Sequence, residues 1–489
     1  MLPEQRFDIG IIGAGIAGIA TAIRLANKGK SVVVFEKNKR PGGKLEEVRG
    51  NGYRFDRGPS LFTQPDLIDE LFTLCGENPR DHFNYSRHNE NCTYFFPSGN
   101  TFTLTGNATQ DKKAISEIYS AKDADAYQNY LESSKRTFNS IGKLFIDHEK
   151  PKFTDFFKWK FIKHYPKFLS KKLLSDLDTY NDACFDSHEL KQLFDRYGTF
   201  NGSNPYKMSG IYSMIPHLDL NLGTYFPEKG MRDIIDQLYQ LAIRQGAQFL
   251  FEQQPSAKRT NNGFTISSNN VDYKVDKLVS AIDHLSFYKH VLTSQSDISK
   301  FEKQERSTSG LVFLLGVKNG ISTLGLHNIF FSDNYEEEFK DLFERKKLSE
   351  SPTIYVHVSS AIKSEDAPSG GQNWFVMVNT PAGVQVTDDY KNHVKNLLFK
   401  ITKDRTGVDI SNSIEFEDHW DTQDIESLTG SYQGALYGAA SNKTMDSFKR
   451  HGNIHPSIPD LYFCGGTVHP GGGIPLAVRS AKIVANLIE

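Results

Sequence analysis

The alternation of apolar and polar positions gives the first outline of the fold. The chain opens on a short apolar run at 7–12 (FDIGII), then a glycine turn at 13–18 (GAGIAG), then apolar residues at helical spacing. A second apolar run at 31–35 (SVVVF) closes on Glu36. This pattern predicts strand, turn, helix, strand and acid, in that order. The far end has a similar cadence. An apolar run at 461–464 (LYFC) leads into GGTVHPGGGIP at 465–475, and an amphipathic stretch then predicts a helix through about Leu487. Midway, the turn at 223–231 (GTYFPEKGM) precedes a helical pattern over 233–245, an apolar strand at 248–251 and strands within 271–282 that end at Asp283. Further strand-like runs lie at 309–317, 353–358 and 373–378, and a helical pattern covers 390–405.

These elements predict an α/β fold whose Rossmann-like dinucleotide-binding domain is discontinuous. Its pieces are 1–80, 223–283 and 454–489, and the insertions 81–222 and 284–453 build an α+β substrate domain. The sequence has no internal repeat. At 489 residues it is long enough for two or three domains with substantial cores.

The first glycine turn has a direct physical reading. Gly13 permits the tight turn off the strand, Gly15 lets backbone approach a pyrophosphate, and Gly18 lets the helix pack on the sheet. The helix beginning near Gly15 points unpaired N–H groups at the phosphates, with Ile16 and Ala17 as further candidate contacts. Glu36 follows Gly13 by 23 positions, placed to accept hydrogen bonds from ribose hydroxyls. A nicotinamide enzyme needs no second glycine platform at the other end of the chain. A flavin dinucleotide, whose reactive ring lies far from its adenine, can use one. In KNKRPGGK at 37–44, Gly42 and Gly43 expose backbone, and Arg40 or Lys44 offsets pyrophosphate charge. In YRFDRGPS at 53–60, a second exposed turn either contacts the flavin ring or is an ordinary polar turn. The candidate cofactor contacts are completed by Lys37, Leu45, Gly58, Pro59, Ser60 and Leu61, and at the far end by Gly465, Gly466, Gly473, Ile474, Pro475 and Ala477. A helix starting after Gly473 would turn its dipole toward the negative charge of reduced flavin. Two residues are candidates for proton transfer, each with a structural alternative. Asp56 is either a base or a cap on backbone amides. His469 is either an acid or base near the flavin or a histidine bonded to backbone.

Composition narrows the partners. The net charge of −2 gives no footprint for nucleic acid. Cys75, Cys92, Cys184 and Cys464 lack paired or metal-ligand spacing, so neither a disulfide framework nor a metal site is expected, and a reducing, cytoplasmic setting fits. The few polar residues before the first strand leave no room for a signal peptide, and no apolar run approaches the ~20 residues of a membrane span. The stretch 150–172 carries eight lysines, seven aromatics and one acid. Its aromatic and basic faces fit either a helix lying in a membrane interface or a domain helix with solvated lysines.

Taken together, Gly13 to Gly18, Glu36, the Gly42-Gly43-Lys44 turn, FDRGPS at 55–60 and HPGGGIP at 469–475 resemble the bacterial-type carotenoid (phytoene) desaturases, within the flavin amine oxidase superfamily. The resemblance runs in order over the whole chain. The common phytoene desaturase pattern has Gly-Ala-Gly-Thr before the histidine and glycine after Ile-Pro. Here GGTV at 465–468 and Leu476 stand instead, which is more similar to the 3,4-desaturases of 1-hydroxylated acyclic or monocyclic carotenoids. The resemblance implies FAD as cofactor, a long apolar tunnel ending at the flavin ring, and hydride transfer from a carotenoid C–C bond to flavin. It further implies a monotopic enzyme at a membrane surface, with quinone or oxygen as final electron acceptor. Phytoene desaturation, amine oxidation and a non-catalytic isoprenoid escort are the alternatives.

Overall fold

The computed structural model describes residues 4–88, 92–151, 171–443 and 446–489. The stretch 150–172, except for its ends, lies outside the described residues.

Three remote parts of the chain meet in one sheet. In spatial order its strands are Ser256–Thr260, Gly263–Ser268, Val271–Ser280, Glu4–Ile12, Val32–Phe35 and Gln248–Leu250, and Leu461–Phe463 pairs with the end of Val271–Ser280. Ile11 stands beside both Val34 and Val279, and Val279 beside Tyr462, all in parallel pairs. The carboxyl ends of these parallel strands therefore share one edge, where open α/β sheets place their ligands.

The helix Ile16–Asn27 packs along this sheet and is buried from Ala17 to Ala26, which fits its largely apolar and small composition. It is flanked by Arg232–Arg244 and by the last helix, Ile474–Leu487. Ile9, Ile19, Ile23, Val34, Leu238 and Val484 fill the space between them.

A second sheet stands apart, in the order Ile414–Trp420, Ser309–Val317, Gln372–Thr380, Ile354–His357, His327–Phe330, Cys92–Phe95 and Thr101–Leu104. Its pairs are antiparallel except that of His327–Phe330 with Cys92–Phe95. Between the sheets runs the hairpin Glu46–Gly50 and Tyr53–Arg57. The described residues contain no helix long and apolar enough to cross a membrane, and the four cysteines are free.

The sequence pattern and the structure differ at one place in the first sheet. The pattern over 271–282 is a single long strand, Val271–Ser280, and a hairpin that the pattern does not mark, Ser256–Thr260 with Gly263–Ser268, precedes it. Lys258, Arg259 and Thr260 on the outermost strand are exposed, so it lacks the apolar alternation that marks a strand.

The close packing at the first turn gives a sharp test. A Cβ on Gly18 would stand 2.0 Å from the Gly13 carbonyl oxygen and 3.1 Å from Ala281 Cβ. Gly18→Ala should therefore push the helix off the strand and cost about 1–3 kcal/mol. Denaturant titration of the flavin-free protein checks this, and a midpoint equal to that of the unsubstituted protein would contradict it.

Candidate functional site

A single cavity of about 980 Å³ opens at the carboxyl edge of the first sheet and extends to one face of the second. Its wall contains Gly13, Gly15, Ile16, Ala17, Glu36, Lys37, Gly43, Lys44, Leu45, Gly58, Pro59, Ser60 and Leu61 from the start of the chain. From the end of the chain come Gly465, Gly466, Gly473, Ile474, Pro475 and Ala477. The candidate residues of both termini thus border one space.

Two helices begin at this wall without a side-chain cap. Gly15 precedes Ile16–Asn27 and Gly473 precedes Ile474–Leu487, and neither can offer a side chain to the first-turn amides. Gly473 has φ +101°, and a Cβ built there would meet nothing within 4 Å. Gly43 lies so close under the first turn that its Cβ would stand 3.2 Å from Gly15 Cα. Glu36 accepts the amides of Ala14 (2.8 Å) and Asn38 (3.0 Å), one on each carboxylate oxygen. A carboxylate has about four lone-pair sites, so capacity remains for hydroxyl donors.

Lys44 donates to the Leu436 carbonyl, and burial pushes its ammonium down to about 8, against the attraction of Asp283. Burial likewise raises the Asp283 carboxyl, opposed chiefly by Arg306. Asp283 caps Leu285 through Oδ1 while its buried Oδ2 has no partner. Arg450 fastens the wall by donating to the carbonyls of Tyr437 (2.7 Å), Ala439 (2.7 Å) and Gly466 (3.3 Å).

Four sequence candidates, Gly18, Arg40, Asp56 and His469, do not border the cavity. Gly18 does not line the cavity; its lack of a Cβ serves the contact between helix and strand. Arg40 is solvent-facing and paired with Glu46, so it is not directed at a phosphate in the cavity. Asp56 is buried behind the wall, bound to Arg54 (2.7 Å) and accepting the Arg232 amide (3.1 Å). The structure thus gives Asp56 the capping alternative rather than that of a base. His469 is fully buried, with Nε2 2.9 Å from the His148 carbonyl and its ring edge-on to Phe145. Burial lowers its pKa to about 4, so it is a neutral residue that ties the terminal turn to 143–148.

The rest of the wall comes from residues outside the sequence motifs. Val312, Met377, Tyr355 and Ile329 project from one face of four adjacent strands, followed by Cys92, with Trp420 and Tyr437 nearby. Arg196 and Asp219 come from the first insertion. No local motif marks them, because a sheet face is assembled by pairing between distant strands.

The donor set fits a flavin dinucleotide. Two uncapped helix starts, a glycine cradle that a Cβ would fill, and Glu36 with spare acceptor capacity suit an anionic pyrophosphate and its ribose.

Comparison with known proteins agrees with this geometry. The family model described as flavin containing amine oxidoreductase matches residues 16–488. A 1-hydroxycarotenoid 3,4-desaturase of Flavobacterium sp. (strain P99-3) is 41% identical over 487 residues, covering 98% of both chains. A carotenoid 3,4-desaturase of Haloarcula japonica is 25% identical over 488 residues, covering 99% of this chain and 98% of the relative. Among solved structures, an oxidoreductase from Methanosarcina mazei has a TM-score of 0.66 at 15% identity, covering 99% of this chain and 100% of that one.

Lys44 yields a pH test. Because its amine loses the proton near pH 8, an anion seated against it restores that proton. FAD binding to flavin-free protein should take up protons at about pH 8.5 and fewer toward about pH 6.5, where the amine is already charged. Calorimetry in buffers of different ionisation enthalpy reads this. Lys44→Met should abolish the uptake and weaken FAD about tenfold; uptake that persists in the variant would assign the proton to another group.

Proposed function

The chain belongs to the family of flavin-containing amine oxidoreductases, with FAD as its redox cofactor, and from that premise we propose that it desaturates a 1-hydroxylated acyclic or monocyclic carotenoid at its 3,4 bond. The observation that carries this reading is the identity of 41% along 98% of both chains with a relative of that name. The shape of the cavity supports it, since the glycine platforms open directly onto an apolar wall.

Desaturation removes a hydride from one carbon and a proton from its neighbour. Bound FAD supplies the two-electron acceptor that takes the hydride. We assign the uncapped amides after Gly15 and Gly473, the turns at 42–45 and 58–61, Glu36 and Lys44 to holding the dinucleotide. The pieces 1–80, 223–283 and 454–489 then form the cofactor domain, and 81–222 with 284–453 the substrate domain. Val312, Ile329, Phe375 and Met377 exclude water and hold a polyene by dispersion along the sheet face. Positive charge developing beside the polyene is shared along its conjugated chain, which lowers the need for a strong base. This suits a site where His469 and Asp56 are both turned to structural tasks.

A carotenoid resides in lipid, so the protein must meet a membrane surface. We place it in the cytoplasm at that surface as a monotopic protein, with the basic aromatic sequence at 150–172 as its point of contact. Electrons then pass to a quinone or to oxygen.

The test is the visible spectrum of protein supplied with FAD and liposomes containing a 1-hydroxylated acyclic carotene. A red shift of the polyene bands is expected, because one added double bond lengthens the conjugated system. An unchanged carotenoid with flavin bound would overturn the substrate assignment.

A further inference from the structure

The apolar wall is interrupted by a small polar group whose chemistry the hydrocarbon part of the substrate does not use. Tyr355 points its hydroxyl to 2.6 Å from Ser60 Oγ and 2.7 Å from His327 Nδ1. Burial keeps His327 neutral, so it sets the orientation of the Tyr355 hydroxyl without adding charge. The chain His327–Tyr355–Ser60 ends on a serine whose hydroxyl retains hydrogen-bonding capacity.

Arg196 lines the same cavity. Its guanidinium lies over the rings of Tyr94, Tyr197 and Phe200 at 5.2–5.3 Å, and Nη2 donates to Tyr94 Oη at 2.8 Å. Nε is buried without a partner, and no carboxylate of the described residues forms an ion pair with it. The Nε–H donor is therefore unspent, and the nearby Asp219 carboxylate acts on the guanidinium through its charge. Tyr94 and Tyr355 lie in one row across neighbouring strands, each opposite Ile329. Adjacent strands are about 4.8 Å apart, so the Tyr94 and Tyr355 strands lie about 10 Å apart on one face. The charge of Arg196 also acts on the Tyr355 phenol.

We propose that Ser60, Tyr355 and Arg196 form the binding point for the terminal hydroxyl of the substrate, and that this corner sets a preference for an oxygenated end group. The proposal rests on the carotenoid reading above. Two arguments carry it. In 3,4-desaturation of a 1-hydroxylated chain, only two carbons separate the oxygen from the bond oxidised. The oxygen therefore lies within about 4 Å of that bond, given bonds of ~1.5 Å. Its partner must stand beside the turn assigned to the cofactor, and Ser60 belongs to that turn. The second argument is desolvation. A hydrocarbon terminus pressed against this corner leaves buried donors unmade, whereas an alcohol oxygen accepts from them. Sites built to bond a hydroxyl reject the analogue lacking it far more strongly than apolar pockets distinguish a methylene.

The experiment compares a 1-hydroxylated acyclic carotene with its unhydroxylated parent, both in phosphatidylcholine vesicles. Wild type is set against Tyr355→Phe, Ser60→Ala, Arg196→Met and Arg196→Lys. Readouts are kcat/KM from the polyene spectrum and Kd from quenching of flavin fluorescence, with flavin content as the check on folding. The expected result is a fall of about tenfold or more in the preference for the hydroxylated carotene in Tyr355→Phe and Arg196→Met, with partial recovery in Arg196→Lys. Losses equal for both carotenes, or no change of preference in any flavin-replete variant, would overturn the assignment. If wild type turns over neither carotene, the carotenoid reading itself falls. If wild type turns over the hydroxylated carotene and the variants keep its preference, only the corner falls.

Discussion

Two helices of this chain start on glycine at the wall of one cavity, and their first-turn amides have no side chain to satisfy them. Six other helices do carry a cap: Asn107, Ser120, Asp176, Ser187, Thr387 and Asp421 each accept a backbone amide at a helix start. A cap is worth about 1 kcal/mol. Forgoing it at both Gly15 and Gly473 leaves donors that an anionic ligand can take. The fold is arranged to bring those two starts together from opposite ends of the sequence. The strand before the first lies beside Val271–Ser280, and the strand before the second lies on that strand's other side. Helix Ile16–Asn27 then packs on Ile474–Leu487.

Buried charge fixes the remaining turns around this space. Arg54 bonds Asp56, Asp366 and Glu47, and its carbonyl accepts from Asn373 on the second sheet. The hairpin that delivers the turn at 58–61 is thereby tied to the substrate wall rather than only to the first sheet. Such a network is weak evidence for net stability, since desolvating four charges is costly. Its value here is positional. Arg232 performs the same office for the turn at 42–45, through the Leu45 carbonyl and Glu46. Both arginines act on residues that flank the cavity while standing outside it.

This explains which features were legible in the sequence. The glycine turn, Glu36 and the terminal HPGGGIP string are local: each combines a strand, a turn and a helix start within about 25 residues, the span over which spacing carries geometry. Asp56 stayed open between a base and a cap because an acid before Arg-Gly-Pro suits either role. The strand period of two places it on the same face as Arg54, where the pair is buried. His469 sits in a motif whose glycines line the cavity while its own ring turns into the core. The substrate wall left no local trace. Ser309–Val317 is buried at every position, so it shows no alternation from which an inward face could be read.

That last point bears on how specificity is encoded. Val312, Met377, Tyr355, Ile329 and Tyr94 form a row across five strands, with two phenols placed among apolar groups. A slip of one residue in any strand would replace its member by one from the opposite face. Because both faces of Ser309–Val317 are buried, apolarity alone does not penalise such a slip there. Polar side chains do. Asn328 bonds the Val356 carbonyl across the pair, Asn373 reaches the Arg54 carbonyl and the Ser359 hydroxyl, and Thr380 meets Thr422. Each of these bonds is available in one register only, and breaking it would strand a buried amide or hydroxyl. The register of the second sheet, and with it the position of the Tyr355 hydroxyl, is therefore held by a few buried polar contacts rather than by the hydrophobic pattern.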